Sequence, residues 1–366
     1  MGGIFCLHNA FPSAPPTKFF QLLVTASVPG KVLLTGSYLI TERPYSGIVL
    51  TVDSLFTSSV QVKTRTPIPS FLPREEIPLL VHLVSPQFSY DQTFLLNRSL
   101  SLVPLARIPP HVEHLMTTFH SAVSLIIRAV CDLQQWSLDE FYRQSLALLN
   151  LDKASRAYAH HLAVEITITT LADNAFYSQH ELLQSRNLPR TPSVLASLPS
   201  FSSVNPRHLA KTGIGSSAAL VSSLCAALLR IFVPSSTIEI MYRLAQAVHS
   251  VAQGRVGSGF DISAAFRGSQ IYTRFSPSLL QPLFPPSTST SNPIPPPPPP
   301  PPPSAAFPPD PLGVPQAVLC EPHELPVSGI LDVIGADLVQ CCCGPDGNTA
   351  SCPWDDVSVP FVLPGA

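Results

Sequence analysis

Three short stretches of this chain carry residue types suited to handling phosphate. Lys211-Thr212-Gly213-Ile214-Gly215-Ser216-Ser217-Ala218 runs straight into the apolar segment Ala219–Leu229. A helix that begins right after a glycine loop leaves its first N–H groups without intrahelical partners. Its dipole also favours an anion at that end. The glycines allow a tight turn and a close backbone approach to a ligand. The Ser216 and Ser217 hydroxyls are hard oxygen donors of the kind Mg²⁺ prefers. Lys31, directly after Pro29-Gly30, is a mobile point charge suited to a phosphate or to an aspartate beside an acceptor. Asp261 closes the run Gln253-Gly254-Arg255-Val256-Gly257-Ser258-Gly259-Phe260-Asp261 and could take or orient the proton of an acceptor hydroxyl. Phosphoryl transfer asks a protein mainly for positioning and charge compensation, and these groups supply both.

Taken singly, each has an ordinary explanation. A lysine after Pro-Gly is usually a solvated turn residue, an aspartate opening a helix is usually a cap, and His249 and Arg255 read as surface residues at a helix end. The loop is not a Walker A motif, because Lys211 precedes the glycines. Nor is it GxGxxG, because no third glycine follows at that spacing. What argues for chemistry is the coincidence of all these groups beside glycine-rich loops in one chain.

The elements that must hold them are partly legible. Leu22–Ser27 reads as a short strand, Pro29-Gly30 as a turn, and Val32–Leu34 as the start of another strand. Val49–Lys63 is β-branched and loosely alternating, and Leu79–Val84 is a short strand. Val112–Cys131 has helical spacing, and Ser137 with Glu140 has the spacing of a capping box. The helix after the glycine loop should end near Phe232-Val233-Pro234. Ser236 or Thr237 should cap another helix over Ile238–Ala252, whose Ile240, Leu244, Val248 and Val251 keep helical spacing. Asp261–Phe266 reads as a short helix and Ser269–Phe275 as a strand. Strands before and between helices favour an α+β scaffold over a bundle.

The 366 residues suffice for two domains, and a net charge of -2 gives no general reason to expect nucleic acid or an anionic membrane as partner. The N-terminus lacks the pattern of a secretory signal, and Cys6 stands where a myristoylation signal has Ser or Thr, so a cytoplasmic protein is expected. Cys341, Cys342, Cys343 and Cys352 crowd together without the spacing of a zinc site, and reduced thiols are the expectation. Proline totals 42, with nine in a row from Pro295 to Pro303. That tract should be an extended spacer or loop, and without a basic residue beside it an SH3-like partner is not favoured. The division expected is an extension over 1–21, a phosphate-loop domain over 22–276, a proline-rich linker or insertion over 277–315 and an incomplete C-terminal domain or aberrant tail over 316–366.

The chain resembles the galactokinase/homoserine kinase/mevalonate kinase/phosphomevalonate kinase superfamily, and within it the phosphomevalonate kinases of fungi. Three blocks carry the likeness over roughly residues 22–275: Pro29-Gly30-Lys31-Val-Leu-Leu-Thr-Gly36-Ser-Tyr38-Leu, Lys211–Ala218, and Ala252–Ala264. The resemblance implies a two-domain α+β fold, with a ribosomal-protein-S5-like N-terminal part and a ferredoxin-like C-terminal domain. It implies ATP and Mg²⁺ as cofactors and (R)-5-phosphomevalonate as the small-molecule substrate, converted to (R)-5-diphosphomevalonate. Lys31 would stabilise the phosphates in transfer, and Asp261 would orient Lys31 or the acceptor. Lys211, Gly213, Gly215, Ser216, Ser217 and Ala218 would hold the ATP phosphates, with Ser216 or Ser217 near the metal. Tyr38, Gln253, Arg255 and Ser258 would face the acceptor.

Members of that superfamily carry a third glycine-rich motif in the C-terminal domain, and no such block stands in this sequence. A truncated or misassembled form of the enzyme is the expectation that follows. Two further readings stay open: a mevalonate kinase or other small-molecule kinase of the group, and a nucleotide-binding regulatory protein without turnover.

Overall fold

Lys31 lies on a long strand, not beside a turn. Leu22–Thr35 forms one continuous strand, β1, in which buried Val24, Ala26 and Val28 alternate with half-buried neighbours. The Pro29-Gly30 pair, read from sequence as a turn, is a β-bulge. The register against β2 (Ser46–Arg65) shifts between Pro29 and Lys31, and again between Leu33 and Thr35. Proline has no N–H for the ladder and is tolerated in a strand at such irregularities. The computed structural model describes residues 22–43, 45–65, 79–149, 163–284 and 359–360.

The remaining strands are β3 (Leu79–Ser85), β4 (Tyr90–Leu96), β5 (Leu102–Pro104), β6 (Ala163–Ala172), β7 (Gln270–Thr273) and β8 (Val359–Pro360). They form an open sheet in the order β5-β4-β3-β6-β2-β7-β8, with β1 also paired to β2. Every pairing is antiparallel except β3 with β6. The 20-residue β2 organises the rest: its first residues pair with β7, its last ten with β6, and most of its length with β1.

The helices are α1 (Pro110–Gln134), α2 (Leu138–Ala147), α3 (His180–Ser185), α4 (Pro192–Ser197), α5 (Ser216–Phe232), α6 (Ile238–Ala252) and α7 (Phe260–Arg267). Two expected caps form. Ser137 accepts from the Glu140 N–H at the start of α2, and Thr237 from the Ile240 N–H at the start of α6. The central helix is α5, buried almost all round between β1 and β2 on one side and α1 and α6 on the other. Its small residues let it lie close to the sheet, near enough for Ser223 and Ser58 to share a buried 2.7 Å hydrogen bond. Val221, Leu224, Leu228 and Ile231 fill the core around it.

Past β7, two short 3₁₀ turns at Pro277–Leu279 and Gln281–Leu283 bring Leu280 and Leu283 into the same core. The extension over 1–21 and the proline run lie outside the described residues. So do Cys6, Cys320, Cys341, Cys342, Cys343 and Cys352, and all of 316–366 except the two residues of β8. Cys131 and Cys225 are buried free thiols.

Candidate active site

The glycine loop is pinned before it reaches α5. Lys211 bridges to Tyr177, and the Ser178 N–H donates to Ala210 O at 2.8 Å. Thr212 donates its N–H to Phe176 O at 3.2 Å and its hydroxyl to Ala175 O at 2.5 Å. Lys31 then grips the loop twice: its backbone N–H donates to Ile214 O at 2.9 Å and its Nζ to Gly213 O at 3.0 Å. Gly215 caps α5 with φ 86°, and a Cβ there would stand 3.1 Å from Lys31 Cε. Glycine is therefore what lets the lysine stem lie across the helix start. The Lys31 ammonium also sits 5.2 Å from the centre of the Phe260 ring.

Asp261 stands in the first turn of α7. Burial pushes the Lys31 ammonium below its ordinary range, and the charge of Asp261 opposes that shift, so the two groups are electrostatic neighbours. The loop presenting Asp261 is held by its carbonyls. Gln246 Nε2 donates to Gly259 O and the Tyr272 hydroxyl to Ser258 O, each at 2.8 Å. Arg274 donates to Gly257 O at 2.7 Å and Val256 O at 3.3 Å, and also to Thr41 O, tying this loop to the 3₁₀ turn Ser37–Thr41.

The two serines have different partners. Ser216 is buried and hydrogen-bonds the Tyr177 phenol, whose pKa burial pushes up to about 12. Ser217 is half-buried, and its hydroxyl lies 3.3 Å from Nε2 of His249. His249, read from sequence as a surface residue, is only 5% exposed. Ten consecutive residues of α6, Met241 to Ser250, are buried, because α1, α5 and α7 all pack on this helix. Burial pushes the imidazole pKa down, Asp261 raises it and Lys211 lowers it, so those two charges also face it.

The structure thus brings together Lys31, Gly213, Gly215, Ser217, Asp261 and Lys211. Gln253 joins them through a 2.9 Å contact from its Nε2 to the His249 ring. Ala218 is buried in the first turn of α5. Ser258 meets the site through its carbonyl, which accepts from the Tyr272 hydroxyl. Arg255 is exposed, with no side-chain partner among the described residues, and Tyr38 is 88% exposed. His249, Phe260 and Arg274 are the neighbours that sequence reasoning misses. The spacing Tyr242, Gln246, His249, Gln253 was the available signal, since it puts a polar track on one face of an otherwise apolar helix.

Among the described residues no group of three or more His, Cys, Asp or Glu could hold a metal. The Ser217 hydroxyl is a hard oxygen, and it fits Mg²⁺ where ligand phosphates and water complete the shell. The first-turn N–H groups of α5 and the Lys31 ammonium suit an anion, and a Cβ on Gly213 would meet nothing within 4 Å, so the loop is open there.

Residues 198–269 match the GHMP kinases N terminal domain. The chain is 32% identical over 289 residues to the peroxisomal phosphomevalonate kinase of Arabidopsis thaliana, covering 71% of this chain and 52% of that protein. It is 31% identical over 269 residues to a phosphomevalonate kinase of Aspergillus fumigatus, covering 70% and 52% respectively. It spans about half the length of the curated relatives it matches. A solved phosphomevalonate kinase of Streptococcus pneumoniae aligns at 14% identity and a TM-score of 0.37, over 69% of this chain and 50% of that one. The family-domain match spans the glycine loop, α5, α6 and the Asp261 loop, and the chain belongs to the GHMP kinase superfamily.

Proposed function

We propose that this chain is the phosphate-loop part of an ATP-dependent kinase that transfers the γ-phosphoryl group to the phosphate of (R)-5-phosphomevalonate, giving (R)-5-diphosphomevalonate. The observation that carries the reading is the double grip of Lys31 on the 213–214 backbone with Asp261 as its electrostatic neighbour. We read the described unit as the ribosomal-protein-S5-like N-terminal part of the superfamily fold. Phosphomevalonate kinases of plant and fungal origin among its relatives support the choice of acceptor.

In this reading the α5 N–H groups and the backbone of Gly213 and Gly215 hold the nucleotide phosphates. Lys31 exchanges its bond to Gly213 O for a phosphate oxygen. Mg²⁺, held beside Ser217 by phosphate oxygens and water, would offset phosphate charge. Two like unit charges 4 Å apart repel by about 4 kcal/mol at an effective dielectric near 20. Cations such as Lys31 therefore matter more for an anionic acceptor than a strong base does. Gln253, Arg255, Ser258 and Tyr38 line the acceptor side.

The test is a coupled assay of the protein with ATP, Mg²⁺ and either phosphomevalonate or mevalonate. Diphosphomevalonate formation is the expected result. Preference for mevalonate would replace the acceptor assignment, and nucleotide binding without turnover of either compound would point to a regulatory protein.

A further inference from the structure

His249 is a buried ring that the proposed transfer does not use, yet it lies behind the loop that transfer needs. Its Nε2 is 2.9 Å from Gln253 Nε2 and 3.3 Å from Ser217 Oγ, and the charges of Asp261 and Lys211 both face it. An amide N–H can only donate, so Nε2 is an acceptor and the ring proton sits on Nδ1. With no hydrogen on Nε2, the Ser217 hydroxyl is the donor in its contact with the ring, sharing the single Nε2 lone pair with the Gln253 amide as the longer arm at 3.3 Å. That leaves the serine's oxygen lone pairs free to accept from, or ligate, another group.

We propose that His249 is a positioning residue: by accepting a hydrogen bond from the Ser217 hydroxyl it presents the serine oxygen as a ligand for the cation that accompanies a bound nucleotide. This rests on the nucleotide-phosphate reading of the loop. A hydroxyl left to rotate would offer hydrogen or lone pair at random, whereas one held from behind is set before the ligand arrives. Gln253, at the end of α6, holds the ring in turn, so an exposed residue of the second glycine loop sets the orientation of a serine in the first.

The test compares two variants of nearly equal shape, His249→Gln and His249→Met. Glutamine can place an acceptor oxygen near the position of Nε2; methionine fills similar space without a comparable one. Titration calorimetry with ATP is run once in Mg²⁺ and once in EDTA. In Mg²⁺, H249Q should stay within about threefold of wild type, while H249M should weaken binding about tenfold, the effect of one hydrogen bond. In EDTA the two variants should bind alike. In a Ser217→Ala background the Gln/Met difference should vanish, a coupling that a purely structural role would not produce. Equal affinities of H249Q and H249M in Mg²⁺, or a difference that survives S217A, would overturn the proposal while leaving the kinase reading intact. No ATP binding by the wild-type protein would overturn both.

Discussion

Gly259 and Gly213 share a similar positive φ and have opposite surroundings, which makes them a matched pair. Their φ values are 80° and 87°, in the left-handed region that costs a side-chain-bearing residue about 1–2 kcal/mol. A Cβ on Gly213 meets nothing within 4 Å, so Gly213→Ala should cost that backbone term alone. A Cβ on Gly259 would stand 2.5 Å from Phe275 Cε1, 2.9 Å from the Tyr272 hydroxyl and 3.0 Å from Gln246 Nε2. The last two atoms hold the loop carbonyls, and Phe275 is fully buried, so none can move cheaply. Overpacking of this kind adds about 1–3 kcal/mol, giving about 2–5 kcal/mol for Gly259→Ala. Urea unfolding followed by circular dichroism reads the difference directly, provided the m-value is unchanged. At about 2–4 °C per kcal/mol for a unit of this size, G259A should melt several degrees below G213A. Equal destabilisation by the two would show that the Phe275–Tyr272–Gln246 wall does not hold the Asp261 loop.

Three further outcomes follow from the same geometry. Lys31→Met should lower kcat about a hundredfold or more in the phosphomevalonate assay, because it removes the ammonium bonded to the Gly213 carbonyl; near-normal kcat would remove Lys31 from its role. Leu228→Ala, at a fully buried site in α5, should cost about 2–5 kcal/mol in urea unfolding, and less than 1 kcal/mol would contradict the packing of that helix on the sheet. On β3, His82 bonds Asp91 at 2.7 Å and approaches Glu165 at 3.4 Å, and Lys63 bonds Glu165 at 2.9 Å. The hydrogen bond to Glu165 raises the His82 pKa above its ordinary 6.5, against burial and with help from Asp91. That stabilisation is complete below 6.5 and is lost as pH rises through the raised folded value. His82→Gln should therefore flatten the fall in Tm as pH rises above 6.5; an unchanged pH profile would refute it.

What could be read from sequence was what local chemistry decides. Loop, caps and helix ends around α5, α6 and α7 follow from glycine, serine and threonine placed beside apolar runs, and α5 starts and stops as its residues suggest. The misreadings arise where a distant partner overrides the local signal. Pro29-Gly30 has turn chemistry, but β2 pairs with the chain on both sides of it and holds it in the sheet as a bulge. The alternation Glu165-Ile166-Thr167-Ile168-Thr169 of β6 is strand-like but too short to mark a central strand by itself. What makes it a central strand is pairing to β2 and β3, a hundred residues away in the case of β2. His249 lies four residues before the exposed Gln253 at the end of α6, and only the packing of neighbouring helices takes it out of solvent.

The role of Asp261 separates a phosphate acceptor from a hydroxyl acceptor. A hydroxyl must lose its proton in transfer, and a positioned base is worth about 10²–10⁴-fold in rate. A phosphate oxygen is already anionic and needs no such base. If the acceptor is a phosphate, the carboxylate acts chiefly through its neighbours, by opposing the burial that depresses the Lys31 pKa. Asp261→Asn should then lower kcat for phosphomevalonate by about tenfold to a hundredfold, no more than the low end of what a base supplies. Part of the loss should return as pH falls, since acid restores the Lys31 charge that Asp261 otherwise supports. An essential base predicts the opposite: a loss of a thousandfold or more that low pH does not repair. Single-turnover rates of D261N across the pH range decide between them, and a deep loss insensitive to pH would argue that the acceptor is a hydroxyl.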